Sequence, residues 1–457
     1  MKHIHLIGIG GTGISSIARV LLEKGYLVSG SDRSLSTLAL DLKRSGVKVF
    51  EGHNAENIIG AELIVRSSAI ADDNVEVQEA NHLGIPVLKR SDFLGSLMQD
   101  QFGIAVAGSH GKTTTSTLMA WSLCSQGLDP SYILGGISKN LSSNAHAGSG
   151  KYFVIEADEY DRMFLGLKPS AIILTNVEYD HPDCFPSPAN YVDAFRDFIK
   201  LLQPHGLIVA GQKSVSKHRL FYGLPASIKA FTFGLEDDAD YRAADLFQNQ
   251  WGGMTFKVFS RTHKKSLGTI ELQIPGEHNV RNTLGVFALN HQLGCDLPAL
   301  SQSLREFSGT GRRFDVVGEV NGITIVDDYA HHPSKIRATL AAARSRYPGR
   351  RLIAVWQPHT YSRTRALAAD FISSFADADQ VIVSEIYASR EKLEAYSSLE
   401  LVKQMDSKKT LFLAGLAEIS TYLQNHLTSG DVLLVLSAGD ADQICKAMLT
   451  ALKEGKR

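Results

Sequence analysis

Little in this sequence points toward a membrane, a disulfide frame or a polyanionic partner. Four cysteines, Cys124, Cys184, Cys295 and Cys445, are spread over 457 residues without a Cys-x-x-Cys pair. That spacing excludes a disulfide-stapled scaffold and a cysteine zinc site, and it fits the reduced thiols of a cytoplasmic protein. No apolar run reaches the roughly eighteen residues that a transmembrane helix needs. Met1-Lys2-His3-Ile4-His5-Leu6 enters a strand pattern at once, with no signal-peptide apolar region. A net charge of −1 leaves no basic footprint for nucleic acid or an anionic membrane surface.

What remains is an ordinary globular composition, 44% hydrophobic and 21% charged. At about 150 residues per domain, the length predicts about three domains. The chain is organised around Gly108-Ser109-His110-Gly111-Lys112-Thr113-Thr114-Thr115. Ile104 to Ala107 before it read as a buried strand, and a helical pattern from Thr117 closes at Gly127. A glycine turn between strand and helix gathers backbone N–H groups at the positive end of a helix dipole. Lysine adds a mobile charge, and the adjoining hydroxyl is a Mg²⁺ ligand. The pattern is that of a triphosphate site, although Val106 stands where the general P-loop has glycine.

Two acidic strand ends face this loop in the chain order. Tyr152 to Ile155 lead into Glu156-Ala157-Asp158-Glu159-Tyr160-Asp161, and Ala171 to Leu174 lead into Asn176, Glu178, Asp180 and His181. Ligands of parallel α/β sheets sit at such carboxyl ends, and a carboxylate opposite a Lys-Thr loop suits a Mg²⁺ ion on phosphates. Glu156 is the first candidate ligand and His181 the second, with a structural histidine as the alternative. Asp158, Glu159 and Asp161 individually read as a solvated loop.

The N-terminal segment opens as βαβ. Gly8-Ile9-Gly10-Gly11-Thr12-Gly13 has the G-x-G-x-x-G spacing, and Asp32 ends the second strand. The glycines admit a pyrophosphate and Asp32 can accept from a ribose hydroxyl, leaving the nucleotide open. Ser67-Ser68 follows another strand and offers hydroxyls; His53 is either a contact or a surface-loop residue. A boundary falls near residue 101. Residues 213–275 carry less signal; their alternating runs Met254 to Phe259 and Thr269 to Ile274 read as antiparallel strands or a hairpin. After them, Asn279 and Asn282 share the face of a helix start, where they meet a nucleotide or, for Asn279, cap the helix. Gly309 to Phe314 read as a hinge with two arginines. A further α/β pattern, read as a parallel series, then places polar clusters at 327–333, 357–364 and 437–440, implying another ligand crevice. The adjacent His331-His332 pair is a poor chelate.

These motifs together resemble the Mur ligases, the ATP-dependent amide-bond ligases of peptidoglycan synthesis. The resemblance runs from Gly8–Gly13 to Ser437-Ala438-Gly439-Asp440. It includes the shortened loop at 108–113, Glu156–Glu159, Asp180-His181, Gly276-Glu277-His278-Asn279-Val280-Arg281-Asn282, Gly311-Arg312-Arg313-Phe314 and Asp327–Pro333. It implies three α/β domains: a Rossmann-like UDP-sugar domain (1–101), a central P-loop ATPase-like domain with parallel and antiparallel strands (102–313), and a Rossmann-like amino-acid domain (314–457).

Residue by residue, it implies ATP held by Gly108, Ser109, His110, Gly111, Lys112, Thr113 and Thr114, with Asn279, Asn282, Arg313 and Asp328. It implies Mg²⁺ on Thr113 and Glu156, and a second metal at His181; Lys112, Glu156, His181, Arg313 and Asp328 form its catalytic set. The UDP-sugar falls to Gly10, Gly11, Thr12, Gly13, Asp32, His53, Ser67 and Ser68, and the amino acid to Tyr329, His331, His332 and Arg363.

Gln357-Pro358-His359-Thr360-Tyr361-Ser362-Arg363-Thr364 favours the branch that joins L-alanine to UDP-N-acetylmuramate over the branch that recycles a murein tripeptide, although Thr360 departs from its usual arginine. No lysine follows His181 until Lys200, so the carbamoylated lysine of some relatives is not expected. The glycine motif alone would fit an NAD-dependent dehydrogenase, and the loop alone a nucleotide switch. The expected assembly is a monomer or weak homodimer.

Overall fold

Alternating apolar runs and helical patterns fold into parallel sheets wherever a run is apolar throughout, because such a strand must be covered on both faces. In the computed structural model, which describes residues 2–262 and 265–455, the chain groups into two compact units. The first is Met1–Glu178, Val192–Tyr241 and Thr283–Ser303; the second is Tyr179–Tyr191, Arg242–Asn282 and Leu304–Arg457.

The first unit opens with β1 (His3–Ile7), β2 (Leu27–Asp32), β3 (Lys48–Glu51), β4 (Leu63–Arg66) and β5 (Val87–Lys89), all parallel in the order β3-β2-β1-β4-β5. Strand addition reverses at β1, so a crevice opens beyond its carboxyl end, where Gly8–Gly13 lie. Helix Thr12–Glu23 turns Ile14, Ile17, Ala18 and Leu21 inward at helical spacing. The same unit holds β6 (Phe102–Ala107), β7 (Ser131–Ile133), β8 (Ala145–His146), β9 (Tyr152–Glu156), β10 (Ala171–Leu174), β11 (Leu207–Gly211) and β12 (Lys229–Gly234). Here β6 lies between β9 and β10, all parallel, which makes its carboxyl end a second switch point. Helix Lys112–Ser125 starts directly after that end.

In the second unit, β13 (Tyr241–Gln248), β14 (Met254–Ser260) and β15 (Lys265–Glu271) lie in sequence order, β14 and β15 antiparallel as their alternation requires. Its other sheet contains β16 (Asp315–Val320), β17 (Ile323–Asp328), β18 (Leu352–Gln357), β19 (Gln380–Val383), β20 (Thr410–Phe412) and β21 (Val432–Ser437), in the order β16-β17-β21-β18-β19-β20. The strands read as a parallel series, β17, β18, β19 and β21, do pair in parallel, and β16 adds an antiparallel edge that makes the sheet mixed. Asn321 and Gly322 both adopt positive φ, +53° and +76°, and Val320 pairs with Ile323. They form a two-residue hairpin turn that lays β16 antiparallel on β17. The core on one face packs Leu434, Trp356, Phe371, Phe375, Val326 and Ile336 together. Among the described residues no helix is long and apolar enough to cross a membrane.

Leu434 is fully buried on the central strand β21, whereas Leu393 is 86% exposed. Leu434→Ala is expected to cost about 2–5 kcal/mol through lost burial and an unfilled cavity, and Leu393→Ala less than about 0.5 kcal/mol. Urea unfolding of the two variants checks this; equal midpoints would contradict the packing described.

Candidate active site

The nucleotide-type loop lies wholly in the first unit. Its turn needs glycine twice. Gly111 has φ +83°, and a Cβ on Gly108 (φ +136°) would fall 2.0 Å from Thr175 Oγ1. Side chains after β10 fasten the loop from outside. Thr175 Oγ1 donates to His110 O at 2.6 Å, His110 N donates to Asn176 Oδ1 at 3.1 Å, and Ser109 Oγ donates to Glu178 O at 2.7 Å. His110 Nε2 lies 2.9 Å from a Glu178 carboxylate oxygen. The loop is therefore rigid before any ligand contact is considered, which is what a preorganised anion cradle requires.

Lys112 Nζ donates to Gly108 O at 2.7 Å and to Glu159 Oε2 at 2.6 Å. Burial works against its charge, but Glu159, Asp158 and Glu156 outweigh it and hold the ammonium above the usual lysine range. Glu159 is 0% exposed, so the expectation of a solvated loop residue is wrong there: the chain buries it as the counter-charge of Lys112. Thr113 Oγ1 donates to Glu156 Oε1 at 3.2 Å, and the other carboxylate oxygen accepts from Gly135 N at 3.0 Å. A hydroxyl and a carboxylate side by side are the hard oxygen donors that suit Mg²⁺.

At the first switch point, Gly10 N donates to Asp32 Oδ2 at 2.8 Å and Ser36 Oγ donates to Gly10 O at 2.9 Å. Asp32 thus braces the glycine loop with the oxygen that sequence reasoning offered to a ribose. Gly11 stands at the N-cap of helix Thr12–Glu23. Ser67 approaches the loop at Gly8, where an added Cβ would meet its side chain at 3.0 Å, and Ser68 lies on an adjoining cavity. His53 is no loose surface residue. Its Nδ1 lies 3.0 Å from Glu76 Oε2, which also accepts from Ser31 Oγ at 2.6 Å, while Asn57 donates to Glu76 Oε1 at 2.6 Å. Burial alone would raise the Glu76 carboxyl, yet His5 and the bonds from Ser31 and Asn57 bring it down to about 2.

In the second unit Asp180 and Arg363 form a pair at 2.9 Å, with side chains 1% and 2% exposed. The same guanidinium lies 3.2 Å from Nδ1 of His181 and 3.2 Å from Nδ1 of His359. An arginine only donates, so both imidazoles accept through Nδ1. Burial, then the Arg363 charge, pushes His359 down to about 3. Burial, Lys335 and Arg363 hold His331 well below the ordinary histidine range. His331 Nδ1 lies 2.8 Å from Tyr329 O, and its ring stands 5.7 Å from that of His359. The result is one buried ion pair ringed by neutral imidazoles. His332 does something else: it caps helix Pro333–Arg346, accepting from Ser334 N.

Asn279 lies inside helix Glu277–Gln292, its Nδ2 bonded to Pro275 O at 2.7 Å; the N-cap alternative is not realised. Asn282 Nδ2 reaches Asn279 Oδ1 at 3.2 Å, so the two amides act as a unit. Arg313 packs on the Tyr329 ring at 4.7 Å, and Asp328 Oδ2 accepts from Phe314 N at 2.7 Å. Burial raises the Asp328 carboxyl against the pull of Arg313. Sequence reasoning missed Glu159, Glu76 and His359. The first two are polar residues with no periodic signal whose partners lie far off in the sequence, and only His359, beside a candidate arginine in the same strand-end cluster, stood where the pattern invited it.

Comparison with known proteins gives three consecutive matches: the Mur ligase family catalytic domain over residues 3–102, the Mur ligase middle domain over 106–290, and the Mur ligase glutamate ligase domain over 312–439. The UDP-N-acetylmuramate–L-alanine ligase of Caldanaerobacter subterraneus subsp. tengcongensis is 41% identical over 457 residues, covering 99% of this chain and 98% of that protein. The enzyme of the same name from Acidithiobacillus ferrooxidans is 42% identical over 96% of this chain and 95% of its own. Among solved structures, the UDP-N-acetylmuramate-alanine ligase of Thermotoga maritima superposes with a TM-score of 0.84 at 27% identity, covering 100% of both chains. A murein peptide ligase from Psychrobacter arcticus superposes with a TM-score of 0.72 at 25% identity, covering 99% of both.

Arg363→Met would leave the Asp180 carboxylate buried without its cation, at an expected cost of about 3–5 kcal/mol. Adding Asp180→Asn should recover part of that loss. The Asp180 carboxyl is held well below its usual value, with the Arg363 charge overcoming burial. The linked stability is therefore complete above the unfolded carboxylate value of about 3.9 and is lost as pH falls below it. Melting curves of both variants from neutral pH down to mild acid test this. A single variant as stable as the parent would refute the pair's role.

Proposed function

The chain belongs to the Mur ligase family, and from that footing we propose that it joins the carboxylate of UDP-N-acetylmuramate to L-alanine at the expense of ATP. The full-length identity to enzymes of that name supports the substrates. The observation that carries the chemistry is the phosphate loop with Lys112 held over it and Thr113 set against Glu156.

In this reading residues 1–101 bind the UDP-sugar through Gly10–Gly13, Ser67, Ser68 and the braced His53. Residues 102–313 bind ATP, and residues 314–457 receive the amino acid. Gly108–Thr114 cradle the phosphates, while the Asn279–Asn282 amides, Arg313 and Asp328 hold the remainder of the nucleotide. Thr113 and Glu156 fit Mg²⁺, which when bound draws charge off the phosphates; a second metal at His181 would have to use Nε2, since Nδ1 accepts from Arg363.

The sugar carboxylate attacks the γ-phosphorus, the bond to ADP breaks, and an acyl phosphate results. Lys112 opposes the charge that accumulates on the transferred group. The amine then adds to the acyl carbon and phosphate leaves with the C–O bond pair. Water would intercept that intermediate, so closure around it is part of the reading. His359, with its conjugate acid near 3, cannot retain a proton at neutral pH. The imidazoles beside Tyr329 therefore recognise and orient the amino acid, while Arg363 positions them from beneath. A dehydrogenase would leave the Lys112 and Thr113 arrangements without a use.

ATP-dependent phosphate release with UDP-N-acetylmuramate is the test, with L-alanine, glycine, L-serine and the murein tripeptide as acceptors. L-Alanine should support turnover, and Lys112→Ala should lower it by about 10²–10³-fold. Turnover with the tripeptide alone would transfer the assignment to peptide recycling, and no turnover with any acceptor would refute the ligase reading. Glu156→Gln should raise the Mg²⁺ concentration needed for half-maximal rate while leaving the KM for L-alanine unmoved; an unchanged Mg²⁺ requirement would remove Glu156 from the metal.

A further inference from the structure

Arg90 opens helix Arg90–Leu97, and no role described so far uses it. Its guanidinium lies against the glycine-rich loop. A Cβ built on Gly13 would fall 2.4 Å from both its Cζ and its Nη1, so the guanidinium occupies the space that a side chain at residue 13 would take. Nε of Arg90 is buried without a hydrogen-bond partner. Nη1 faces the Met163 sulfur at 3.9 Å, a weak acceptor for a strong donor. Burial pulls the guanidinium below the ordinary arginine range, while the carboxylates of Asp158 and Glu156 pull the other way.

A cavity of about 450 Å³ adjoins it, lined among others by Arg66, Ser68, Lys89, Arg90, Asp161 and Met163. That volume is in the range of small-molecule sites, roughly 300–1,000 Å³. It opens beyond the carboxyl ends of β4 and β5, the edge of a parallel sheet where ligands bind. Of its cations, Arg66 is already committed to Asp72 and to Ile70 O. Arg90 is the one that combines a buried, unsatisfied donor with contact on the glycine loop.

We propose that Arg90 grips an anionic group of the UDP-sugar, pyrophosphate or lactyl carboxylate, between the glycine-rich loop and the acidic end of β9. The assignment rests on the UDP-sugar reading of the first domain. A planar guanidinium fork matches phosphate and carboxylate oxygens two at a time, which a lysine cannot do. Held there, the sugar's anionic end is fixed on the same side as Glu156.

The test uses the full chain with Arg90→Gln and Arg90→Lys, in phosphate release with varied UDP-N-acetylmuramate and in calorimetric titration with UDP. Arg90→Gln should raise the KM for UDP-N-acetylmuramate by about tenfold or more, and Arg90→Lys should recover only part of it. The KM for ATP and the melting midpoint should stay near the parent's, which a merely structural role would not allow. UDP binding weakened by a similar factor assigns the contact to the pyrophosphate; unchanged UDP binding assigns it to the carboxylate. Both variants within about twofold of the parent in KM for the UDP-sugar would overturn the proposal, as would an ATP KM that rises in step. Should Arg90→Gln fail to fold, Arg90→Lys decides by the same criteria. A parent chain that binds UDP through Arg90 but turns over no substrate would sink the ligase reading and leave this assignment standing.

Discussion

A parallel strand covered on both faces has nowhere to put a polar side chain except beyond its ends, and that constraint governs this molecule. Gly8–Gly13 follow β1, Gly108–Thr113 follow β6, Glu156 ends β9, and Asp328 ends β17. The interiors of β6, β10 and β21 are fully buried and apolar, so chemistry is confined to one edge of each sheet. Strand order then selects the place along that edge, since β1 and β6 each have neighbours that come later in the chain on both sides.

Three of the charged groups at these edges are balanced before they are useful. Lys112 has Glu159, Arg363 has Asp180, and Glu76 has three hydrogen-bond donors around it. Unpaired, each would be a buried charge of the kind proteins avoid by changing protonation. The pairing keeps Lys112 cationic and leaves His331 and His359 neutral. One fold thereby holds a full positive charge in one unit and uncharged hydrogen-bonding edges in the other. Glycine serves the same end by steric means: Gly108 and Gly135 let Thr175 and Glu156 come closer than any side chain at those positions would permit.

How much of this could be read from residues alone depended on whether the signal was local. The run Ile104–Ala107 followed by Gly108 to Thr113 contains strand, turn and helix start in one window, and the Thr113–Glu156 contact follows from two strand ends in adjacent positions. The hairpin at Asn321-Gly322 is equally local, an Asn-Gly turn between two alternating runs. Glu159 was misjudged because exposure is a tertiary property; four acidic residues in six look solvated until one is folded under a lysine from another element. The bonds from Glu76 to Ser31, His53 and Asn57 span 19 to 45 positions, and no periodicity encodes them.

The buried indole of Trp356 has a consequence of an optical kind. It is fully enclosed in the apolar core of the second unit with its Nε1 unbonded, whereas Trp251 in the same unit is 37% exposed. Trp121 stands in the helix that follows the nucleotide loop and donates to Ser303 O at 2.7 Å. Three indoles in apolar, aqueous and hydrogen-bonded surroundings emit at different energies. The chain therefore carries three intrinsic fluorophores in distinct surroundings, one of them on the helix that springs from the glycine loop, without any label being added.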